Sequence, residues 1–165
     1  AMFKNLRLDH FTADCFPIAG NPYYKGADAG TPADQFAFPY PAAAFDAAVS
    51  FSVFTHLRSK ALANYAANLG RVVRPGGTAL LSFYLLDNAP GGKGGGPWAD
   101  SPRRLALRDG PDPAERGVLK VLKRDKPEYM VAYKLSHVVW TFRGAGFEPV
   151  GEPLYGSWSG RADYH

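Results

Sequence analysis

Apolar and polar positions along this chain change period in a way that predicts alternating strands and helices. Phe45–Ser50 is a short apolar run that passes into a polar loop, as a buried strand does at its end. Over Lys60–Val73 the spacing becomes helical, and Leu62, Tyr65, Ala66, Leu69, Val72 and Val73 form one apolar stripe. Gly70 weakens that helix locally, and Pro75-Gly76-Gly77 is expected to end it. Thr78–Leu86 is apolar almost throughout, as a strand buried on both faces would be. Strand, helix and strand in this order predict two parallel strands of an α/β sheet.

The flanking segments extend the pattern less sharply. Leu6–Ala13 alternates loosely and predicts a strand. Residues 15–43 are broken by Pro17, Gly20, Pro22, Gly26, Gly30, Pro32, Pro39 and Pro41 and predict loops. Val118–Leu122 and Tyr129–Tyr133 read as two short strands of a small hairpin. Leu135, Val138, Val139 and Phe142 share a helical face, and Gly144-Ala145-Gly146 supplies a left-handed stop. A last strand is expected at Glu148–Tyr155. The predicted elements are strands near 6–13, 45–50, 78–86 and 148–155 and helices near 59–73 and 134–143. They make one α/β domain over residues 1–165, with a loop-rich insertion at about 87–128.

Composition narrows the class. A length of 165 residues with 46% hydrophobic and 14% aromatic content suits one packed domain. No apolar run approaches the ~18 residues of a membrane span. The N-terminus lacks a signal-peptide pattern, and a single cysteine, Cys15, excludes an internal disulfide, so the expected compartment is cytoplasmic. The net charge of +4 is local, because residues 103–126 carry eight basic and four acidic side chains. Without interleaved aromatics that stripe reads as a solvated face, with an anion-receiving surface as the alternative. Gly91-Gly92-Lys93-Gly94-Gly95-Gly96 fits neither phosphate-loop pattern and reads as a linker or lid. The histidines show no metal-ligand spacing, and no metal is expected.

The combination FDxxxSxSVFTHL at 45–57 and RVVRPGGxxLLSF at 71–83 resembles the class I S-adenosylmethionine-dependent methyltransferases. That resemblance implies a Rossmann-like parallel sheet with the cofactor at the carboxyl ends of its strands. No GxGxG turn occurs in the chain, so the resemblance covers the carboxyl-terminal portion of the family's domain. The family's first two strands and its last would then be missing, and the isolated chain would bind the cofactor weakly or not at all.

By the same resemblance Asp14 and Cys15 map to the adenine side, Asp14 alternatively opening a turn. Ser50, Phe51 and Ser52 map to the methionine side, where small hydroxyl residues permit close approach. His56 has the chemistry of a general base; alternatively, Thr55 caps the following helix and His56 is structural. Pro127-Glu128-Tyr129 onward, with the GxWSGR ending, makes Tyr133, Trp158 and Arg161 substrate-side candidates. Asp46, Arg71 and Arg74 are assigned structural roles, the arginines complementing a helix dipole.

The implied activity is methyl transfer from S-adenosyl-L-methionine to an O or N nucleophile of a small molecule or sugar. No nucleic-acid partner and no membrane are expected, and open sheet edges would favour self-association. The alternative is a non-catalytic α/β interaction module that has lost cofactor binding.

Overall fold

A computed structural model describes residues 18–19, 30–87 and 107–154. In chain order the elements are β1 (Ile18–Ala19), β2 (Thr31–Pro32), β3 (Phe45–Ser50), α1 (Ser59–Val72), β4 (Val73–Leu81), β5 (Tyr84–Leu85), β6 (Leu119–Val121), β7 (Val131–Tyr133) and α2 (Leu135–Gly144). Among the described residues, short 3-10 turns lie at Phe54–His56, Pro113–Glu115 and Pro127–Tyr129. The expected strand at 6–13 falls outside the described residues.

The β3–α1–β4 unit forms as its sequence periods require, with β3 and β4 paired in parallel. The apolar stripe of α1 puts Ala61, Leu62, Ala66, Leu69 and Val72 into the core. Burying Leu62 completely contributes roughly 2 kcal/mol. The helix ends one residue before the strand begins, so no turn separates them. Pro75-Gly76-Gly77 therefore does not end the helix; it lies inside β4 as a bulge. Phe45 pairs with Val73 and Ala47 with Thr78, so β4 accommodates extra residues opposite Asp46. Only glycine fits at 77, where a Cβ would lie 2.7 Å from the Asp46 carbonyl oxygen.

The strand expected over 78–86 divides in two. β4 stops at Leu81, and Tyr84–Leu85 pairs instead with β7, in a second sheet ordered β5-β7-β6. Here β5 runs parallel to β7 and β6 antiparallel to it. The expected hairpin is present, and it forms part of the core. Leu119, Val121, Val131 and Tyr133 are fully buried against Leu62, Ala66, Leu69, Val138 and Phe142. Arg108, Arg116, Lys120, Lys123, Arg124 and Lys126 are exposed, as a solvated basic face is.

No strand forms over the described part of 148–155. Pro149 and Pro153 lack ladder donors, Gly151 has φ +71°, and Val150 and Leu154 are exposed. The preceding stop is a Schellman motif at α2. Gly146 N–H donates to Arg143 O and Phe147 N–H to Phe142 O, both at 3.0 Å, with Gly146 at φ +88°. The Phe142 and Phe147 rings, 5.9 Å apart, close it.

Neither helix has a local side-chain cap. Carboxylates from distant segments take that place. Glu115 Oε1 accepts from Ser59 N–H at 3.2 Å, and the Asp87 carboxylate accepts from Leu135 N–H. Glu115 is buried and also takes Arg58 Nη2 at 2.7 Å and Nε at 3.1 Å. On its outer side α1 carries Asn64, Asn68 and Arg71. Asn64 donates to Ala33 O and Phe36 O, and Asn68 accepts from Phe38 N–H at 2.8 Å. Arg71 donates to Phe38 O at 2.6 Å and Tyr40 O at 2.5 Å, so it clamps a loop as well as meeting the helix end. Arg74 pairs with exposed Asp46 on the neighbouring strand.

Two substitutions test this packing. Glu115→Ala strands Arg58 and uncaps α1, and is expected to cost about 3 kcal/mol in denaturant unfolding. Gly70→Ala is expected to cost about 2 kcal/mol, because its Cβ would fall on the Ala145 carbonyl where α1 meets α2. Equal unfolding midpoints for either variant and the parent chain would contradict the account.

Candidate functional site

The carboxyl ends of β3 and β4 lie side by side because the two strands are parallel. Two hydrogen bonds join them beyond the ladder. Ser82 N–H donates to Ser50 O at 3.0 Å, and Ser52 N–H donates to Ser82 Oγ at 2.9 Å. The second bond holds Ser52 at φ +57°, a left-handed conformation that costs a non-glycine residue roughly 1 kcal/mol. The chain thus turns sharply as it leaves the strand. Phe51 and Val53 are left exposed, while Phe54 enters the core.

Phe54 is the floor of this corner. Its ring lies 5.0 Å from Phe83 and 5.7 Å from Phe142. The Ser50 hydroxyl is buried and has no hydrogen-bond partner among the described residues. A buried hydroxyl normally has one. Ser50 can accept from an ammonium group or donate to a carboxylate, which suits the amino-acid end of the expected cofactor.

His56 ends the Phe54–His56 turn, between buried Thr55 and Leu57. Its Nδ1 lies 3.0 Å from the Glu128 carbonyl oxygen. Thr55 does not cap α1: Arg58 occupies the cap position, and the Thr55 hydroxyl is buried without a partner among the described residues. Arg58 joins this corner to Glu115, with Glu128 at 4.0 Å and Asp112 at 3.8 Å.

Tyr133 is placed differently from the expectation. It is fully buried in the core, and its hydroxyl donates to Leu57 O at 2.7 Å. It acts there as a strut under the His56 turn, not as an accessible substrate-side wall. Burial, reinforced by the nearby Glu115 charge, pushes its phenol far above the usual range, so it stays protonated. His137 stacks on Tyr133 at 5.7 Å and on exposed Trp140 at 6.1 Å. Burial holds the His137 imidazole below its ordinary value, the Glu115 charge opposing that shift.

Ser50, Phe51 and Ser52 therefore lie together where β3 ends, and His56 closes the Phe54–His56 turn that follows. Asp14, Cys15, Trp158 and Arg161 lie outside the described residues. Sequence reasoning passed over Ser82, Glu128 and Glu115. Ser82 had a signal, a hydroxyl at the end of the second strand of a parallel pair; Glu115 had none, sitting in a charged segment far from α1.

Residues 25–81 match the family model of the methyltransferase domain, a span that takes in β3, the Ser50–His56 corner, α1 and β4. The resemblance in the sequence thus holds over that span. No solved structure matches the chain.

Two outcomes are expected here. Tyr133→Phe leaves the buried Leu57 carbonyl unpaired and should cost about 1.5 kcal/mol in denaturant unfolding. The second concerns pH. The folded-state value of His137 is depressed, so the unfolded chain binds the extra proton first and stability falls as pH drops through the unfolded value of 6.5. His137→Gln should flatten that segment of a stability–pH curve; an unchanged slope would contradict the assignment.

Proposed function

We propose that this chain, whose residues 25–81 match the methyltransferase-domain family model, takes part in methyl transfer from S-adenosylmethionine to an O or N nucleophile of a small molecule or sugar. One observation supports the reading most directly. The Ser50 hydroxyl, buried and without a partner among the described residues, sits at the carboxyl end of a parallel strand, beside the Ser52–Ser82 turn. Ligands of open α/β sheets bind at such strand ends.

Ser50, Ser52 and Phe51 are the residues that would hold the methionine end. Ser50 supplies the hydroxyl, the left-handed Ser52 turns the chain clear of the strand end, and Phe51 offers an exposed ring. Asp14 and Cys15 are assigned to the adenine side, and Trp158 and Arg161 to the acceptor. When bound, the cofactor supplies a methyl group on a positively charged sulfur. The protein's part is to align the acceptor for in-line attack and to exclude water. The aromatic floor of Phe54, Phe83 and Phe142 keeps the inner wall dry.

The test is amide NMR of the chain titrated with S-adenosylmethionine, which reads weak binding as readily as tight. Shifts are expected at residues 50–53 and 81–83, with the demethylated thioether competing at the same positions. Ser50→Ala should weaken binding about tenfold, through loss of one charge-assisted hydrogen bond. No shifts at these residues, or shifts only elsewhere, would sink the proposal.

A further inference from the structure

Ser82 holds the main chain on both sides of Phe51. Its N–H donates to Ser50 O at 3.0 Å, and its hydroxyl oxygen accepts from Ser52 N–H at 2.9 Å. The first bond is to the peptide group before Phe51 and the second to the peptide group after it, so one residue grips both. The first bond also continues the parallel ladder one step past the Ser50–Leu81 pair. Had the ladder run further, Ser52 N–H would have met a main-chain carbonyl of the neighbouring strand. It meets a side chain instead, and Ser52 takes φ +57°. A left-handed serine keeps that conformation only where its surroundings impose it. Ser82 can impose it because its own place is fixed. Leu81 before it is paired, the Phe83 ring after it lies 5.0 Å from Phe54 and 6.0 Å from Phe142, and Tyr84 is buried and paired with β7. A hydroxyl 30 residues further along the chain therefore decides where the backbone turns away from the end of β3.

We propose that Ser82 is a positioning residue of the methyl-transfer site, its hydroxyl setting the Ser50–Ser52 backbone in the form that receives the cofactor. The proposal rests on the methyl-transfer reading and deepens it, because it adds a residue of the second strand that acts through the first. Ser50 and Phe51 are the groups assigned to the methionine end, and the two peptide groups that join Ser50, Phe51 and Ser52 are the ones Ser82 holds. Without the hydroxyl, Ser52 N–H loses this acceptor, and the left-handed form loses the interaction that offsets its cost. Ser52 then relaxes toward the broader right-handed and extended regions, and the exit of β3 no longer keeps one course. Affinity falls with the fraction of chains that hold the competent form. The role also says which replacements succeed. Threonine serves at 82 because it keeps the oxygen. Glycine serves at 52 because it takes a positive φ without steric penalty.

Two sets of NMR measurements on the full chain test this. Without ligand, a strong amide–α NOE within Ser52 and slow exchange of its amide proton report the left-handed, bonded form. Both are expected in the parent chain and in Ser82→Thr. Both should be lost in Ser82→Ala, with exchange about tenfold faster, while the amide signals of α1 and β6 stay in place. With S-adenosylmethionine, Ser82→Ala should weaken binding about tenfold. The double variant Ser82→Ala/Ser52→Gly should return to within about threefold of the parent, although it has no hydroxyl at 82. A residue needed only for packing is not rescued by glycine at another position. An unchanged Ser52 amide in Ser82→Ala, parent-like affinity in that variant, no recovery in the double variant, or changes spread through α1 and β6 overturns the proposal. A parent chain that shows no shifts with the cofactor refutes the methyl-transfer reading instead, and the ligand-free measurements still decide whether Ser82 holds the turn.

Discussion

The buried carboxylate of Glu115 is the interaction on which the arrangement depends. It neutralises Arg58, accepts the first helical N–H of α1, and brings the Pro113–Glu115 turn against that helix's N-terminus. A charge placed in a low-dielectric interior is tolerable only with such partners. In return it gathers three segments distant in sequence at one point. Those are the loop that leaves β3, the turn before β6 and, through Tyr133 and Leu57, the start of α2. Asp87 does the same for α2 by accepting from Leu135 N–H. Both helices are thus started by carboxylates that the chain delivers from elsewhere.

The site inherits its shape from this frame. Parallel pairing brings two strand ends together, and Ser82 then bends the β3 exit by holding Ser52 in a left-handed turn. The bend separates two chemistries. Phe54 goes inward to the aromatic cluster, while Ser50, Ser52 and Ser82 stay at the strand ends. A core tyrosine supports the floor of the corner, and a main-chain carbonyl orients its imidazole.

The parallel pair also leaves one surface uncovered by the described residues. Val49 and Leu80 are opposite each other and exposed, on the face away from α1. The inner face carries Ala48 and Leu81, packed on the core. The sheet is therefore half-covered where its apolar sequence reads as buried on both sides.

Much of this was legible in the residues. Phe45–Ser50 as strand, Ser59–Val72 as helix, the hairpin and α2 all follow from spacing, because a buried face must repeat with the period of its element. The corner at Ser50–Ser52 was legible as well, since it is where an apolar run becomes polar. The errors share a cause. Pro75-Gly76-Gly77 has turn chemistry, yet pairing with β3 absorbs it as a bulge. Tyr133 looked like a substrate-side aromatic because its motif neighbours suggested it, while its burial depends on β6 and α1. Glu148–Leu154 has strand-like residues but two prolines, and it pairs with no strand among the described residues. Local spacing, in short, specified which segments become helix or strand. Which face each one hides, which carboxylate caps which helix, and which main-chain carbonyl meets the His56 ring were decided by contacts between residues some 50 to 70 positions apart. A one-dimensional pattern encodes periodicity but not the partners that burial selects.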